Sequence, residues 1–221
     1  MKKNISILFV GNSHTFVNQV PAIVHDLFAK IGVEAHCVMN TSGGKCLEFH
    51  YSFPNTKYNI VHGKYDYVIL QNKATNFAKE PYLEYGKKIV DEYISQTTSK
   101  TVLYMVWSNK GKKEEQEPMI NAVTELAEYA NAIIAPAGPA WHKALRCRPK
   151  PELYQADGNH ATPTGSYLAA SCIFYAISGR TRTITVKDGD EPHTRLGLDT
   201  KLAATLQRIA CKATTAINNK E

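Results

Sequence analysis

The apolar run ISILFV (residues 5–10), followed at once by the polar run GNSHT (residues 11–15), decides how the rest of the chain is interpreted. The first run ends at a glycine and predicts a short buried strand. The second run leads into an amphipathic segment over residues 20–28, which predicts a helix. Ser13 is therefore expected where a strand ends and a helix begins, and open α/β sheets bind ligands at such positions. Because serine is also a common N-cap, Ser13 taken alone is better explained as a cap than as a nucleophile.

Strand-like and helix-like segments alternate along the whole chain. We predict strands over residues 5–10, 34–39, 67–70, 102–107 and 132–135. We predict helices over residues 21–31, 81–95, 118–129, 163–178 and 200–217. This alternation predicts an α/β fold in which a parallel five-stranded sheet is covered by helices on both faces. The polar segment 179–198 is expected to form an extra strand or a loop.

The length and composition indicate one domain that spans residues 1–221. A chain of 221 residues with 43% hydrophobic residues is long enough for one substantial core, and at this size roughly 70% of the unfolded surface is buried. No internal repeat or low-complexity linker divides the sequence. No segment approaches the roughly 20 apolar residues that cross a bilayer, and the first apolar run lacks the cleavage site of a secretory signal. We therefore expect no membrane association.

The formal net charge of +6 raises nucleic acids and acidic substrates as partners. The basic residues are scattered, however, and no aromatic residues interleave them as a nucleic-acid stacking surface would require. We interpret the charge as solvated surface and expect no nucleic-acid partner. The five cysteines show no metal-binding spacing, so reduced thiols in a reducing, cytoplasmic compartment are the simplest interpretation.

The sequence lacks the motifs that typically bind a cofactor or a metal. The string Gly44-Lys45-Cys46 has neither the earlier glycine nor the hydroxyl of a phosphate-binding loop, and no GxGxxG follows the first strand. The remaining histidines show no recognisable metal-ligand spacing. We therefore expect no cofactor and no metal.

Five polar groups fall at the carboxyl ends of the predicted strands and hence at one edge of the sheet. They are Ser13, Gly43-Gly44, Gln71-Asn72, residues 107–109 and the pair formed by Asp157 and His160. In a parallel sheet, that edge is where a ligand cleft is expected.

Asp157 and His160 lie on a predicted turn, just before a helix begins at Pro163. At this spacing the carboxylate can reach one imidazole nitrogen while the other nitrogen points into the cleft. The carboxylate would fix the tautomer of His160 and stabilise the imidazolium formed when His160 takes a proton from Ser13. The alternative is an ordinary polar turn with a surface histidine, since Asp, Gly and Asn are common in turns for conformational reasons.

An acyl transfer also needs hydrogen-bond donors for the developing oxyanion. Gly43 and Gly44 offer backbone N–H groups without a side chain in the way. Asn72 or Gln71 offers a side-chain amide, and the N–H of Ser13 itself is a further donor. Each position also has an ordinary interpretation, either as a glycine turn or as the polar end of a buried strand.

Four blocks of the sequence resemble the SGNH, or GDSL-like, hydrolase family. They are GNSHTF after the first strand, TSGG after the second, an amide residue after the third and DGNHATPTGSYLAA near the end. The resemblance implies a flavodoxin-like three-layer α/β/α sandwich and the activity of an esterase, a lipase or a carbohydrate deacetylase. It also implies Ser13 as the nucleophile, His160 as the base, Asp157 as the residue that orients it, and Gly43 or Gly44 as an oxyanion donor.

Two of these blocks depart from the family pattern. Gly11-Asn12-Ser13 stands where many members have GDS, so an amide replaces a carboxylate beside the serine. Residues 70–73 read LQNK where the usual pattern is GxND. Asn72 falls at the family's asparagine, but Gln71 is an alternative for the same role, so the choice of amide stays open.

We expect a serine esterase that acts on an ester of a small molecule or a carbohydrate. The resemblance implies an O-acetyl group on a carbohydrate as the substrate. Trp107, Trp141 and Phe16 are candidate contacts for a sugar or an acyl group, although each also suits a core position. The alternatives are a catalytically weak binding module with the same fold and a flavodoxin-like flavin carrier.

Overall fold

The structure is a computed structural model that describes residues 2–219. Its strands are β1 (Asn4–Gly11), β2 (Glu34–Thr41), β3 (Tyr67–Gln71), β4 (Lys100–Met105) and β5 (Ile133–Pro136). They form one five-stranded sheet in the order β2-β1-β3-β4-β5, and every pairing is parallel. The predicted parallel sheet is confirmed, and the strand bounds differ from the predicted ones by at most two residues.

Helices connect the strands and cover both faces of the sheet. Those in the described residues are α1 (Ser13–Phe16), α2 (Val20–Ala29), α3 (Leu47–Ser52), α4 (Pro54–His62), α5 (Lys79–Glu92), α6 (Gln116–Ala130), α7 (Ala137–Ala144), α8 (Pro163–Ser178) and α9 (Thr200–Asn218). The five predicted helices correspond to α2, α5, α6, α8 and α9. None of the helices between residues 2 and 219 combines the length and the apolar character needed to cross a membrane.

β1 is buried on both faces because its successive side chains point in opposite directions. Ile7 and Phe9 pack into a core formed with α2, α8 and α9. Leu8 and Val10 pack into a second core formed with α5 and α6. All four side chains are fully buried. The chain is therefore a three-layer α/β/α sandwich with β1 near its centre.

The strand order creates a topological switch point between β1 and β3. From β1 the chain passes through α2 to β2 on one side, and from β3 it passes through α5 to β4 on the other. A crevice forms outside the carboxyl ends of two such strands, and ligands bind there in open α/β sheets. Ser13 follows β1 and Asn72 follows β3, so both residues border this crevice.

The helices α1, α3, α4 and α7 are not predicted by the sequence pattern, and α1 has only four residues. α3 and α4 are short and are separated only by Phe53, so neither is long enough for a clear helical period. α7 contains Gly138 and Pro139, which disfavour a helix. Gly138 is required there because a Cβ would collide with the side chain of Gln116 and the carbonyl of Val106.

The segment 179–198 is a turn-rich loop and forms no strand in the part of the chain that the structure describes. Two ion pairs fasten it to the region of α2. Lys30 Nζ lies 2.5 Å from Asp190 Oδ2, and Arg195 pairs with Asp26. Of the two interpretations of this segment, the loop is the correct one.

Candidate active site

Ser13 lies at the first position of α1, immediately after β1 and the residue Asn12. Asn12 is the N-cap, because its Oδ1 accepts a hydrogen bond from the backbone N–H of His14 at 3.1 Å. The interpretation of Ser13 as a cap is therefore wrong, and its hydroxyl is available for another partner. Gly11 permits the tight turn, since a Cβ there would overlap the side chain of Gln71.

Asp157 and His160 lie on a tight turn between α7 and α8. Asp157 Oδ1 accepts hydrogen bonds from the backbone N–H groups of Asn159 at 2.9 Å and His160 at 3.0 Å. Its other oxygen, Oδ2, lies 2.5 Å from His160 Nδ1. Gly158 has a φ of +69°, which glycine adopts without the strain that other residues incur. The turn therefore closes around the carboxylate and orients the imidazole.

The serine and the imidazole meet although they are 147 positions apart in the sequence. His160 Nε2 lies 2.8 Å from Ser13 Oγ. Because Asp157 bonds to Nδ1, the proton of the neutral imidazole belongs on Nδ1 and the lone pair on Nε2. That lone pair faces the hydroxyl. The structure thus brings Ser13, His160 and Asp157 into one chain of hydrogen bonds.

Hydrogen bonds keep the carboxylate of Asp157 ionised. The bond with His160 contributes most, followed by the backbone N–H of Asn159, and together they lower the pKa of Asp157 from 3.8 to about 2. The side chain is 46% exposed, so solvent screens its charge and the pair adds little to stability. Its main effect is to orient the imidazole.

The loop after β4 holds the turn of Asp157 in place. Trp107 Nε1 donates to the carbonyl of Asn159 at 2.9 Å, and the N–H of Lys110 donates to the carbonyl of Gly158 at 2.8 Å. Trp107 is buried, so an ordered side chain supports the turn. Sequence reasoning missed these contacts because they join segments that are far apart in the sequence.

Gly43 and Gly44 lie on an exposed turn after β2. Within residues 2–219, neither backbone N–H has a hydrogen-bond partner, so both are available to a ligand. A Cβ on Gly43 would lie 3.9 Å from the ring of Phe16. Because the N–H of Ser42 donates to the carbonyl of Gly11 at 3.0 Å, the glycine turn lies beside the end of β1 that leads into Ser13.

Asn72 follows β3 and is 9% exposed. Its Oδ1 accepts a hydrogen bond from the N–H of Leu47 at 3.1 Å, which orients the amide. Among the described residues, Asn72 Nδ2 donates to no acceptor. Asn72 therefore carries an oriented amide at the end of β3 whose N–H groups have no acceptor among the described residues.

Gln71, the other amide candidate, is fully buried. Its Oε1 accepts hydrogen bonds from the N–H of Asn12 at 2.8 Å and from the hydroxyl of Thr15 at 3.0 Å. Its Nε2 donates to Asn12 Oδ1 at 3.1 Å and to the carbonyl of Asn72. Both ends of the amide are occupied within the protein. Gln71 therefore ties β3 to the serine turn and is not free to bind an oxyanion.

Asn12 uses both ends of its amide, which explains the departure from the GDS pattern. Its Nδ2 donates to the carbonyl of Lys45 at 2.8 Å, while its Oδ1 accepts from Gln71 and from the N–H of His14. Asn12 is 1% exposed. A carboxylate accepts but does not donate when ionised, so an aspartate here would leave the carbonyl of Lys45 without its donor.

The ring of His14 packs against the ring of His160. Their centroids are 5.6 Å apart and their planes differ by 27°, and the Trp107 ring lies 5.1 Å from His14. Burial, and then the proximity of His160, lower the pKa of His14 to about 4, so this ring is neutral at neutral pH. Its Nδ1 lies 3.2 Å from Asn12 Oδ1, and its buried Nε2 has no hydrogen-bond partner among the described residues. Sequence reasoning gave His14 no role.

Of the three aromatic candidates for substrate contact, Phe16 is the accessible one, with 38% of its surface exposed. Trp107 and Trp141 are 1% and 0% exposed, and their rings stack with centroids 3.8 Å apart. Both tryptophans are core residues. The interpretation of these two residues as substrate contacts is therefore wrong.

No group of three or more histidine, cysteine or acidic side chains suited to a metal ion occurs in residues 2–219. His50 illustrates why buried histidines here are structural. Its Nε2 lies 2.8 Å from the carbonyl of Gly11, and burial lowers its pKa. His50 thus supports the end of β1 just before the serine turn.

Several known structures have a fold similar to that of this chain. No family model and no curated protein matches the chain. A protein from Slackia heliotrinireducens proposed to be an SGNH hydrolase has 24% identity and a TM-score of 0.67, over 79% of this chain and 99% of that chain. A DUF4886 family protein from Bacteroides uniformis has 17% identity and a TM-score of 0.69, over 99% of this chain and 96% of that chain.

An enzyme of known substrate class shares the same architecture. A variant of Axe2, an acetyl-xylooligosaccharide esterase from a Geobacillus, has 17% identity and a TM-score of 0.61, over 80% of this chain and 96% of that chain. At these identities the likeness establishes the architecture rather than the activity. The chain therefore has the fold of the SGNH, or GDSL-like, hydrolases.

Proposed function

We propose that this protein is a serine hydrolase that cleaves carboxylic esters. The proposal is carried by the two hydrogen bonds of His160, 2.8 Å from Nε2 to Ser13 Oγ and 2.5 Å from Nδ1 to Asp157 Oδ2. A serine hydroxyl is a weak nucleophile near neutral pH until an adjacent base takes its proton. His160 is at the distance that a general base needs, and Asp157 holds it in the required tautomer.

The reaction proceeds in two halves. Ser13 Oγ attacks the ester carbonyl carbon as its proton passes to His160 Nε2. The tetrahedral intermediate collapses when the imidazolium gives this proton to the leaving alcohol, and the acyl group stays on Ser13. Water then attacks the acyl group with His160 as the base, and collapse releases the acid and restores the hydroxyl. Asp157 stays ionised throughout and stabilises the imidazolium.

We assign the oxyanion hole to the backbone N–H groups of Ser13 and Gly43 and to Asn72 Nδ2. These groups have no other partner within residues 2–219, which leaves them free to donate to the oxygen that gains charge. Gly44 is an alternative to Gly43, because both N–H groups lie on the same exposed turn. Gln71 is left out because both ends of its amide are occupied.

We infer that the substrate is a small-molecule or carbohydrate ester, and more specifically an O-acetyl group on a carbohydrate. The acetyl-xylooligosaccharide esterase among the similar folds supports this choice. Phe16 supports it as well, since its exposed ring beside Gly43 suits a small acyl group or the face of a sugar. The proposal involves no cofactor, nucleic acid or membrane, and the five free cysteine thiols suit a cytoplasmic location.

Hydrolysis of p-nitrophenyl acetate tests the proposal. We expect the intact protein to release p-nitrophenol, and Ser13→Ala to lose the activity by several orders of magnitude because the nucleophile is gone. Ser52→Ala removes an exposed serine hydroxyl at the end of α3 and serves as the matched control, with unchanged activity. Activity that survives in Ser13→Ala would remove Ser13 from the mechanism.

The same assay separates the hydrolase from a binding module with this fold. An intact protein that hydrolyses neither p-nitrophenyl acetate nor an acetylated xylooligosaccharide, yet binds the latter, would favour the binding module. Retained binding in Ser13→Ala would then show that the hydroxyl is not needed for recognition.

A further inference from the structure

A cavity of about 330 Å³ lies outside the proposed active site, between the loop that follows β4, the C-terminal end of α7 and residues 150–154. Its volume falls within the range of small-molecule sites, roughly 300–1,000 Å³. One carboxylate, Glu152, lines it together with four cationic side chains, which are Lys110, Lys113, Arg146 and Lys150. The lining therefore carries an excess of positive charge.

Little in the protein neutralises these cations. Lys110 Nζ is 3.8 Å from Glu152 Oε1, and both side chains are more than half exposed, so this pair is weak. The described part of the chain places no carboxylate within ion-pair distance of Lys113, Arg146 or Lys150. Concave surfaces lined by charges of one sign concentrate ligands of the opposite sign.

His142 and Tyr154, which both bond to Ser108, line the inner wall of the cavity, and neither is a carboxylate. His142 Nε2 lies 3.1 Å from Ser108 Oγ, and Tyr154 Oη donates to the carbonyl of Ser108 at 2.8 Å. Burial lowers the pKa of His142 first, and the charges of Lys113 and Arg146 lower it further. The imidazole therefore stays neutral near neutral pH, so it neither adds to nor cancels the positive charge.

We propose that this cavity binds a small, multiply charged oxyanion, of the phosphate or polycarboxylate type. The guanidinium of Arg146 can hold two oxygens of such a group at once, and the lysines supply the remaining charge. Leu145 and Pro151 add an apolar border that suits a compact carbon skeleton attached to the anion. Binding is non-covalent and involves no reaction step.

The cavity lies behind the turn that carries His160. The side chain of Lys110 lines the cavity, while its backbone N–H holds the carbonyl of Gly158. The same loop therefore forms part of both sites. The anion site does not depend on ester hydrolysis, so the proposal stands or fails apart from the proposed function.

Isothermal titration calorimetry with inorganic phosphate and with citrate tests the proposal. The ionic strength is held constant with potassium chloride, so that only specific binding gives a saturable signal. The test variant combines Arg146→Gln with Lys150→Gln. The control combines Lys201→Gln with Arg208→Gln, which removes the same charges from exposed positions on α9.

We expect saturable binding of at least one of the two anions by the intact protein and by the control variant. In the variant at Arg146 and Lys150, we expect affinity to fall roughly tenfold or more, because charge-assisted hydrogen bonds are lost. Equal affinity in the two variants would overturn the proposal. An intact protein that binds neither anion saturably would overturn it as well.

His142 provides a second readout in the intact protein, without any substitution. Sulfate keeps its double charge throughout the titration, and in the cavity it would offset the charges of Lys113 and Arg146 that lower the pKa of His142. The other charged groups around His142 are Lys110, Lys150 and Glu152 in the cavity, Lys143 on the same helix, and Glu114 and Glu117 on the adjoining surface. We therefore expect saturating sulfate to raise the pKa of His142. The NMR shifts of its ring protons, recorded as a function of pH, measure this pKa. An unchanged pKa at a sulfate concentration that calorimetry shows to be saturating would exclude the cavity as the binding site.

Discussion

Asn72 and Gln71 are adjacent amides at the end of β3, yet the fold gives them different roles. Both ends of the Gln71 amide are hydrogen-bonded to the serine turn, whereas Asn72 Nδ2 has no acceptor among the described residues. Neighbouring strand residues point in opposite directions, so only one of the two amides can face the serine turn. The sequence does not show which one it is. Only the contacts with Asn12 and Leu47 decide between them.

Replacing Asn72 by Ala tests its assignment as an oxyanion donor. We expect kcat for p-nitrophenyl acetate to fall by about 10²–10³, the usual cost of one missing donor, with little change in KM. Asn121→Ala removes an exposed amide on α6 and should leave both constants unchanged. A kcat within a few-fold of the intact protein would remove Asn72 from the oxyanion hole.

Asp157 is expected to orient the imidazole of His160. Its loss should therefore reduce kcat more than it reduces the stability of the protein. Asp157→Asn removes the charge that stabilises the imidazolium and favours the wrong tautomer of His160, and we expect kcat to fall by up to about 10⁴. Steady-state kinetics near neutral pH measure this. Full activity in Asp157→Asn would contradict the assigned role.

The lowered pKa of Asp157 also fixes how its contribution depends on pH. A carboxyl whose folded-state pKa is depressed stabilises the protein above its unfolded pKa, near 3.8, and this contribution is lost as the pH falls toward about 2. Protonation of Asp157 should therefore not contribute to a loss of activity at mildly acidic pH. The solvent exposure of Asp157 keeps the stability contribution small.

His14 is expected to position His160 through the contact between their rings. His14→Ala removes that contact, and we expect kcat/KM to fall roughly threefold to tenfold, as the loss of one aromatic contact predicts. His14→Phe keeps a ring in the same place and should restore most of the activity. Equal activity of the two variants would show that the ring of His14 does not position His160.

At the scale of elements, α8 shows which sequence signals define a helix fully. Its N-cap is Thr162, whose Oγ1 accepts a hydrogen bond from the N–H of Gly165 at 3.2 Å, and Pro163 occupies the first turn. Gly179 ends the helix at a φ of +64°. These local signals are strong, and α8 begins and ends at the predicted residues. α7 and the pair α3–α4 lack such signals, so their formation depends on packing that the sequence pattern does not reveal.

Gly165 in α8 is closely packed against neighbouring residues, and its substitution tests this packing of the helix against the core. A Cβ would overlap the ring of Trp141 and lie 2.6 Å from the carbonyl of Leu153. We expect Gly165→Ala to lower the free energy of unfolding by about 1–3 kcal/mol, the usual cost of overpacking. Urea denaturation followed by circular dichroism measures the effect.

Gly179→Ala is the matched comparison for this prediction. Its added methyl group would enter open space, but the backbone has a positive φ, so we expect a cost of about 1 kcal/mol from conformation alone. A Gly165→Ala variant as stable as the intact protein would contradict the packing at this position.

At the scale of the whole molecule, the sequence predicted the sheet and the residues that meet at its edge. Parallel strands bring their carboxyl ends to one side, so Ser13 and the late turn of His160 were expected to converge. The supporting contacts of Trp107, Gln71 and His14 were not predicted, because they depend on side-chain directions and on pairs that are distant in sequence. The proposed anion cavity likewise gathers cations from three separate segments.

We propose that residues 1–221 form one domain, which predicts a single cooperative unfolding transition. β1 contributes side chains to the cores on both faces of the sheet, so neither core can be lost while the other stays intact. Urea transitions followed by tryptophan fluorescence and by circular dichroism should coincide. Two separate transitions would contradict the single domain.

We propose that His160 activates Ser13 as a nucleophile. The most direct test is to treat the protein with a fluorophosphonate, which phosphonylates an activated serine with loss of fluoride, and to locate the adduct by peptide mass spectrometry. We predict one adduct on Ser13 of the intact protein, none in Ser13→Ala, and a strongly slowed reaction in His160→Ala. An unlabelled intact protein, or an adduct on another residue, would show that His160 does not activate Ser13.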